Sequence, residues 1–129
     1  MVHCLRLTDY TCDEVIRPVF FEGGWSLPDA KRHSMLFTSA MQPGKGIPLL
    51  LDAATILRRK YPDLHLQLAG GWYPRSGWGR VVRHKLRTLC LEDCVTFTGP
   101  VDAETLARYL QKVNVFVSPS WMEHSSNVL

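Results

Sequence analysis

The sequence has no apolar run long enough to cross a membrane. None of its 129 residues lie in a stretch approaching the roughly 20 apolar residues that a membrane-spanning helix requires. The N-terminus lacks a positively charged region followed by an apolar core, which argues against a signal peptide. We therefore expect a cytoplasmic chain.

Cysteine pairs at the spacing of a zinc or redox motif are also missing. Cys4 and Cys12 lie far from Cys90 and Cys94, and neither pair has the two-residue gap of such motifs. In a cytoplasmic protein such cysteines are expected to be free thiols. The five histidines are scattered as well, so the sequence predicts no metal site.

No charge of one sign dominates. The formal net charge is +3, and 46% of the residues are hydrophobic, which is typical of one globular domain. This mild charge suits a protein that handles phosphorylated ligands or contacts an anionic membrane surface. A basic cluster is interpreted as a solvated helix face, because nucleic-acid binding would require aromatic platforms or a known module alongside it; it contains Arg75, Arg80, Arg83, Lys85 and Arg87.

From Ser34 onward, strand-like and helix-like segments alternate. This order predicts an α/β domain with a parallel sheet and flanking helices. The predicted strands are 35–39, 64–69, 94–98 and 113–117, and the predicted helices are 46–60, 79–91 and 102–112. Residues 1–33 have no clear period and are rich in turn residues around Gly23, so we interpret them as a linker on the surface of a 34–129 domain.

The loops after the strands of a parallel sheet all open on its carboxyl edge, where α/β proteins bind ligands. In the first loop, Gly44 and Gly46 flank Lys45, and a lysine at a helix start can neutralise a phosphate group. Gly70 and Gly71 close the second strand; alone they could be a simple tight turn. They are not a dinucleotide fingerprint, because no further glycine at the required spacing opens a helix.

The last strand, 113–117, ends in the turn sequence Ser118-Pro119-Ser120. Glu123 follows, and a helix could start near Asn127. The backbone N–H groups of a helix start favour an anion such as a diphosphate, and the Glu123 carboxylate can accept hydrogen bonds from sugar hydroxyls. As alternatives, Glu123 could cap a helix and Lys45 could be an exposed turn residue.

The stretch from Ser118 to Leu129, together with Lys45-Gly46, resembles the signature of the group 1 type GT-B glycosyltransferases, also called family 4 retaining glycosyltransferases. The resemblance implies a Rossmann-like domain, the C-terminal half of a GT-B fold. It also implies that Glu123 is catalytic. The implied donor-binding residues, with Pro100 and Val101 beside the nucleobase, are Lys45, Gly46, Gly70, Gly71, Pro100, Val101, Ser120, Asn127 and Val128.

Two departures from the family pattern stand out. Ser39-Ala40 occupies the place where the family has Gly-Arg, so one of two positive charges on the diphosphate is absent unless Arg75 or Arg80 substitutes for it. The second Glu of the signature would fall at position 131, beyond Leu129.

The resemblance implies an enzyme that transfers a hexose from a nucleotide-diphosphate sugar, with retention, to a glycan or lipid-linked acceptor. The nucleotide sugar is a substrate, and no cofactor is implied. An N-terminal domain would hold the acceptor, and the full enzyme could contact a membrane peripherally. We expect this chain alone, which carries only part of the signature, to be inactive.

A different class of function remains open. The chain could be a non-catalytic domain that binds a nucleotide sugar or pairs with another protein, and an uncovered helix-docking face could drive self-association. A nucleotide-sugar epimerase is a weaker alternative, because the sequence shows no acid and base pair for it.

Overall fold

The computed structural model describes residues 26–121, in which strands and helices alternate along the chain. The elements are β1 (Lys31–Thr38), α1 (Ile47–Lys60), β2 (His65–Ala69), α2 (Gly77–Thr88), β3 (Val95–Gly99), α3 (Ala103–Lys112) and β4 (Val113–Phe116). The type and order of every predicted element are confirmed.

The four strands form one parallel sheet in the order β3-β2-β1-β4. β1 is therefore paired on both sides, with β2 on one and β4 on the other. The chain moves outward from β1 through β2 to β3, and then returns across the sheet to place β4 on the opposite side of β1. This parallel α/β architecture confirms the predicted Rossmann-like fold.

The core has two parts, one on each face of the sheet, because successive strand residues point to opposite faces. The larger part joins Phe37 and Leu68 to the buried face of α1 and to Val82 of α2. The smaller part joins Leu36 and neighbouring strand residues to α3. The buried residues of α1 follow the period of a helix that has one apolar face; they are Ile47, Leu50, Leu51 and Ala54.

β1 begins at Lys31, four residues before the predicted strand and inside the range predicted to be a linker. Pairing with β4 explains this start, since Lys31 is in register with Val113. The pairing is irregular between Lys31 and Met35, where His33 has a φ of 52°. Ser34 stabilises the irregularity: its hydroxyl donates to Lys31 O at 2.5 Å and accepts from Asn114 N–H at 3.0 Å. The division of the chain at residue 34 stays a prediction.

α2 begins two residues earlier than predicted because Ser76 caps it. The Ser76 hydroxyl accepts a hydrogen bond from Gly79 N–H at 3.0 Å, which satisfies one of the amide groups left open at a helix start. The helix also ends earlier than predicted, at Thr88, and Cys90 then takes a φ of 52°. Cys90 and Cys94 are free thiols, whereas Cys4 and Cys12 lie outside the described residues.

Arg58, near the end of α1, connects this helix to the turn before β3. Its guanidinium donates to Cys90 O at 2.8 Å and forms a two-bond ion pair with Asp93. These hydrogen bonds lower the pKa of the Asp93 carboxyl below its ordinary value. The C-terminal end of α1 and the turn before β3, which are distant in sequence, are thereby held together at the amino edge of the sheet.

Replacing Asp93 with Asn should remove part of the acid sensitivity of folding. Because the pKa of Asp93 is lowered in the folded chain, its contribution to stability is present above the unfolded pKa of about 3.9 and is lost as the pH falls through the folded pKa. We expect Asp93→Asn to be less stable at neutral pH and the difference to shrink below about pH 4. Urea denaturation between pH 7 and pH 3 measures this, and a difference independent of pH would contradict it.

The different burial of Leu68 and Leu49 predicts that replacing each with alanine lowers the free energy of unfolding by different amounts. Leu68 has no exposed surface, whereas Leu49 on α1 is 54% exposed. We expect Leu68→Ala to lower the free energy of unfolding by roughly 2–5 kcal/mol, because it leaves a cavity. Leu49→Ala should change it by about 0.5 kcal/mol or less. Urea denaturation compares them, and equal losses would contradict this prediction.

Candidate functional site

The candidate site lies at the carboxyl edge of the sheet, where four loops follow the four strands. We name them the β1 loop (39–46), the β2 loop (70–76), the β3 loop (100–102) and the β4 loop (117–121). The chain runs from β1 to β2 and β3 on one side of β1 and then crosses over to β4 on its other side. The strand order therefore reverses between β1 and β4. Ligands of open α/β sheets bind outside such a switch point, so the junction of the β1 and β4 loops is the expected binding place.

The β1 loop and the β4 loop contact each other on both sides of Lys45. Gly46 is buried, has a φ of 72°, and lies so close to the β4 loop that a Cβ there would be 2.1 Å from Pro119 O. On the other side, Trp121 N–H donates to Gly44 O at 2.9 Å. Lys45 itself is half-buried and also has an interaction partner. Its backbone position is therefore set by the β4 loop.

The β2 loop contacts both of its neighbours through the backbone. Gly70 has a φ of 137°, and a Cβ there would be 1.9 Å from Ser39 O of the β1 loop. Met41 N–H donates to Gly71 O, and Gly70 N–H donates to Gly99 O, each at 2.9 Å. Glycine is required at Gly70 because of this close approach. The edge of the sheet is thus a row of loops joined by backbone contacts.

The start of α1 faces this edge with a positive end. Its N-cap residue is Gly46, which offers no side-chain hydrogen bond, and its first turn contains no acidic residue. Pro48 occupies the first turn, where a missing N–H costs nothing. By contrast, Asp102 caps α3 by accepting from Thr105 N–H at 2.8 Å. An anion is favoured at the start of α1, immediately after Lys45.

Ser120 has a hydroxyl that lies buried without a hydrogen-bond partner among the residues that the structure describes. It follows Pro119, the residue that packs on Gly46. A buried hydroxyl without a partner is unfavourable by about 1–3 kcal/mol. A ligand that accepts a hydrogen bond from Ser120 would remove this cost.

The predicted donor-binding residues within 26–121 all lie on these connected loops. Pro100 is exposed on the β3 loop, whereas Val101 is half-buried and packs against the smaller core cluster. Glu123, Asn127 and Val128 lie outside the described residues. The roles of all of these residues stay predictions.

At the place of the expected second positive charge, the chain has an exposed alanine that follows a backbone contact. Ser39 O contacts Gly70, and Ala40 is exposed. Arg75 on the β2 loop and Arg80 in the first turn of α2 are also exposed, and Arg80 Nη1 lies 3.5 Å from Arg75 O. Both arginines are therefore on the same edge of the sheet as Lys45.

Two aromatic residues at this edge were not singled out from the sequence. Tyr73 on the β2 loop is 73% exposed and Trp121 on the β4 loop is 77% exposed. The Trp72-Tyr73-Pro74 sequence, directly after Gly70-Gly71, was the available signal. Aromatic residues placed on binding loops and open to solvent are candidates for ligand contact.

Residues 32–129 match the family described as glycosyl transferases group 1. The chain belongs to this family, and it corresponds to the C-terminal, Rossmann-like half of the GT-B fold. A D-inositol 3-phosphate glycosyltransferase from Arthrobacter sp. (strain FB24) is 31% identical over 97 residues, which cover 75% of this chain and 23% of the relative. The chain thus spans about a quarter of the length of that curated relative.

Solved glycosyltransferase structures share the fold. Sucrose-phosphate synthase from Thermosynechococcus elongatus is 33% identical with a TM-score of 0.61, covering 74% of this chain and 24% of that chain. The pneumococcal O-GlcNAc transferase GtfA, whose structure holds UDP and GlcNAc, is 20% identical with a TM-score of 0.60, covering 74% of this chain and 18% of that chain. The latter likeness concerns the fold alone.

Within residues 26–121, no three His, Cys, Asp or Glu side chains are grouped in a way that could hold a metal ion. No helix in that range is long and apolar enough to cross a membrane.

Substituting Gly44 and Gly46 should distinguish the energetic cost of a left-handed backbone from the cost of breaking the contact between the β1 and β4 loops. Gly44 and Gly46 have φ values of 88° and 72°, but a Cβ at Gly44 would meet nothing within 4 Å. We expect Gly44→Ala to cost roughly 1–2 kcal/mol of stability, because of its left-handed backbone alone. Gly46→Ala should cost clearly more, because it also pushes Pro119 away.

Urea denaturation of both variants measures the difference. Equal costs for Gly44→Ala and Gly46→Ala would show that the contact between the β1 and β4 loops does not stabilise the chain.

Proposed function

We propose that this chain is the donor-binding half of a retaining hexosyltransferase that uses a nucleotide-diphosphate sugar. The observation that carries the proposal is the contact between the β1 and β4 loops. There, Lys45, the uncapped start of α1 and the unpaired hydroxyl of Ser120 come together. A cation, a positive helix end and a hydroxyl donor form a suitable set of groups for a diphosphate.

The strand order suggests how the donor lies along the edge. With neighbouring strands about 4.8 Å apart, the loops from β3 to β4 span roughly 14 Å. The diphosphate would bind at the β1 and β4 loops, toward the β4 end of the span. The nucleobase would lie toward the β3 loop, with Pro100 and Val101, and the hexose would lie toward Glu123 beyond the β4 loop.

In this arrangement, catalysis depends on electrostatics. Lys45 and the start of α1 would stabilise the negative charge that develops on the departing diphosphate. Glu123 would accept hydrogen bonds from the hexose hydroxyls, and Asn127 and Val128 would offer backbone donors to the diphosphate. An N-terminal domain of the longer enzyme would hold a glycan or lipid-linked acceptor. The UDP in the GtfA structure supports a nucleotide donor.

Calorimetry with UDP, GDP and ADP on the 129-residue chain tests the proposal. We expect at least one of them to bind. Ser120→Ala should weaken that binding roughly tenfold or more, because a hydrogen bond to a charged group is lost. The same substitution should leave stability unchanged or higher, because it removes an unpaired buried hydroxyl. Lys45→Ala should also weaken binding.

Lys60→Ala is the matched control, because Lys60 is an exposed lysine at the opposite end of α1. It should leave binding unchanged. No binding of any nucleotide at millimolar concentration, on a sample shown to be folded, would overturn the proposal.

A further inference from the structure

Tyr73 exposes a large aromatic ring at the binding edge without an apparent structural reason. The side chain is 73% exposed, and its ring lies over Gly71, within 3.7 Å of the position that a Cβ on Gly71 would take. Gly71 has no side chain to cover the ring. One side of the ring therefore rests on the β2 loop while much of it stays open to solvent.

The backbone around Tyr73 is fixed from several directions. The preceding residue, Trp72, stacks on Phe97 of β3 with ring centroids 4.2 Å apart. The Tyr73 carbonyl accepts hydrogen bonds from the Ser76 N–H at 3.1 Å and from the Ser76 hydroxyl at 2.8 Å. A tyrosine at a mobile loop tip can be exposed by chance. Here these contacts hold the backbone of Tyr73 in place. Because its backbone is already fixed, Tyr73 loses less freedom when a ligand covers it than a residue of a mobile loop would.

The position of the β2 loop along the edge points to one part of the donor. The loop lies between the β1 loop, which carries Lys45, and the β3 loop. Gly70 N–H donates to the carbonyl of Gly99, the last residue before the β3 loop. Trp121, the other exposed aromatic residue of the described region, lies on the opposite side of Lys45. Tyr73 is thus on the side toward which a nucleobase would extend from the diphosphate.

We propose that the ring of Tyr73 stacks on the nucleobase of the donor nucleotide. This inference rests on the proposed function, and it adds a residue that the family resemblance did not supply. A flat aromatic ring can stack on any base, because every base has a π-face. Stacking by Tyr73 would therefore add affinity for the nucleoside part without selecting strongly between bases. Discrimination between bases would depend on hydrogen-bonding groups of the β3 loop.

The test compares a ligand that has a base with one that lacks it. Binding of UDP, GDP, ADP and inorganic pyrophosphate to the 129-residue chain is measured by calorimetry for the unsubstituted chain, Tyr73→Ala and Tyr73→Phe. We expect Tyr73→Ala to weaken nucleotide binding by at least about fivefold and to change pyrophosphate binding by less than about twofold. Tyr73→Phe keeps the ring and should bind nucleotide within about twofold of the unsubstituted chain.

Ile56→Ala is the control for removing an exposed apolar side chain elsewhere, since Ile56 is 68% exposed on α1. It should affect neither ligand. Unchanged nucleotide binding in Tyr73→Ala would overturn the inference alone, and so would equal weakening of nucleotide and pyrophosphate. An unsubstituted chain that binds no nucleotide would overturn the proposed function, and this inference with it.

Discussion

The pairing of β1 with strands on both of its sides is the constraint on which the site depends. Because β2 and β4 flank β1, the connections that leave the sheet near β1 diverge, and such a switch point is where open α/β sheets bind ligands. The loops meet closely there because glycines allow backbone to approach backbone. Gly46 meets the β4 loop at Pro119, and Gly70 meets the β1 loop at Ser39. Any larger residue at either position would push the two facing loops apart.

The elements could be predicted from sequence because local signals bound them. Glycine and proline mark the loop after each strand, Asp102 caps α3 as expected, and the apolar period of α1 defines its buried face. The start of β1 could not be predicted, because Lys31, Arg32 and His33 give no strand signal. The pairing of Lys31 depends on Val113, which lies about eighty residues further along the chain. Strand order likewise has no local signature.

The site was predicted only as a set of loops. The sequence placed Lys45 and Ser120 on the same edge of the sheet, but not in touching loops, because the contact between Gly46 and Pro119 joins residues far apart in the chain. Whether the Ser120 hydroxyl has a hydrogen-bond partner depends on the groups that folding brings next to it, which the local sequence does not specify. The exposure of Tyr73 could not be predicted, because a Trp-Tyr-Pro sequence is as compatible with a buried core as with an exposed loop.

The helix starts at this edge differ in one further respect. α1 and α2 have no acidic residue in their first turns, whereas α3 has Glu104 there and Asp102 before it. Two of the three helix starts thus contribute positive ends at this edge without acidic side chains beside them, and Arg75 and Arg80 add positive charge to the same edge. Such charges raise the rate at which an anionic substrate arrives from solution, and dissolved ions weaken their field over a Debye length of about 8 Å at physiological ionic strength. Capture of an anionic ligand by this domain should therefore slow as salt is added.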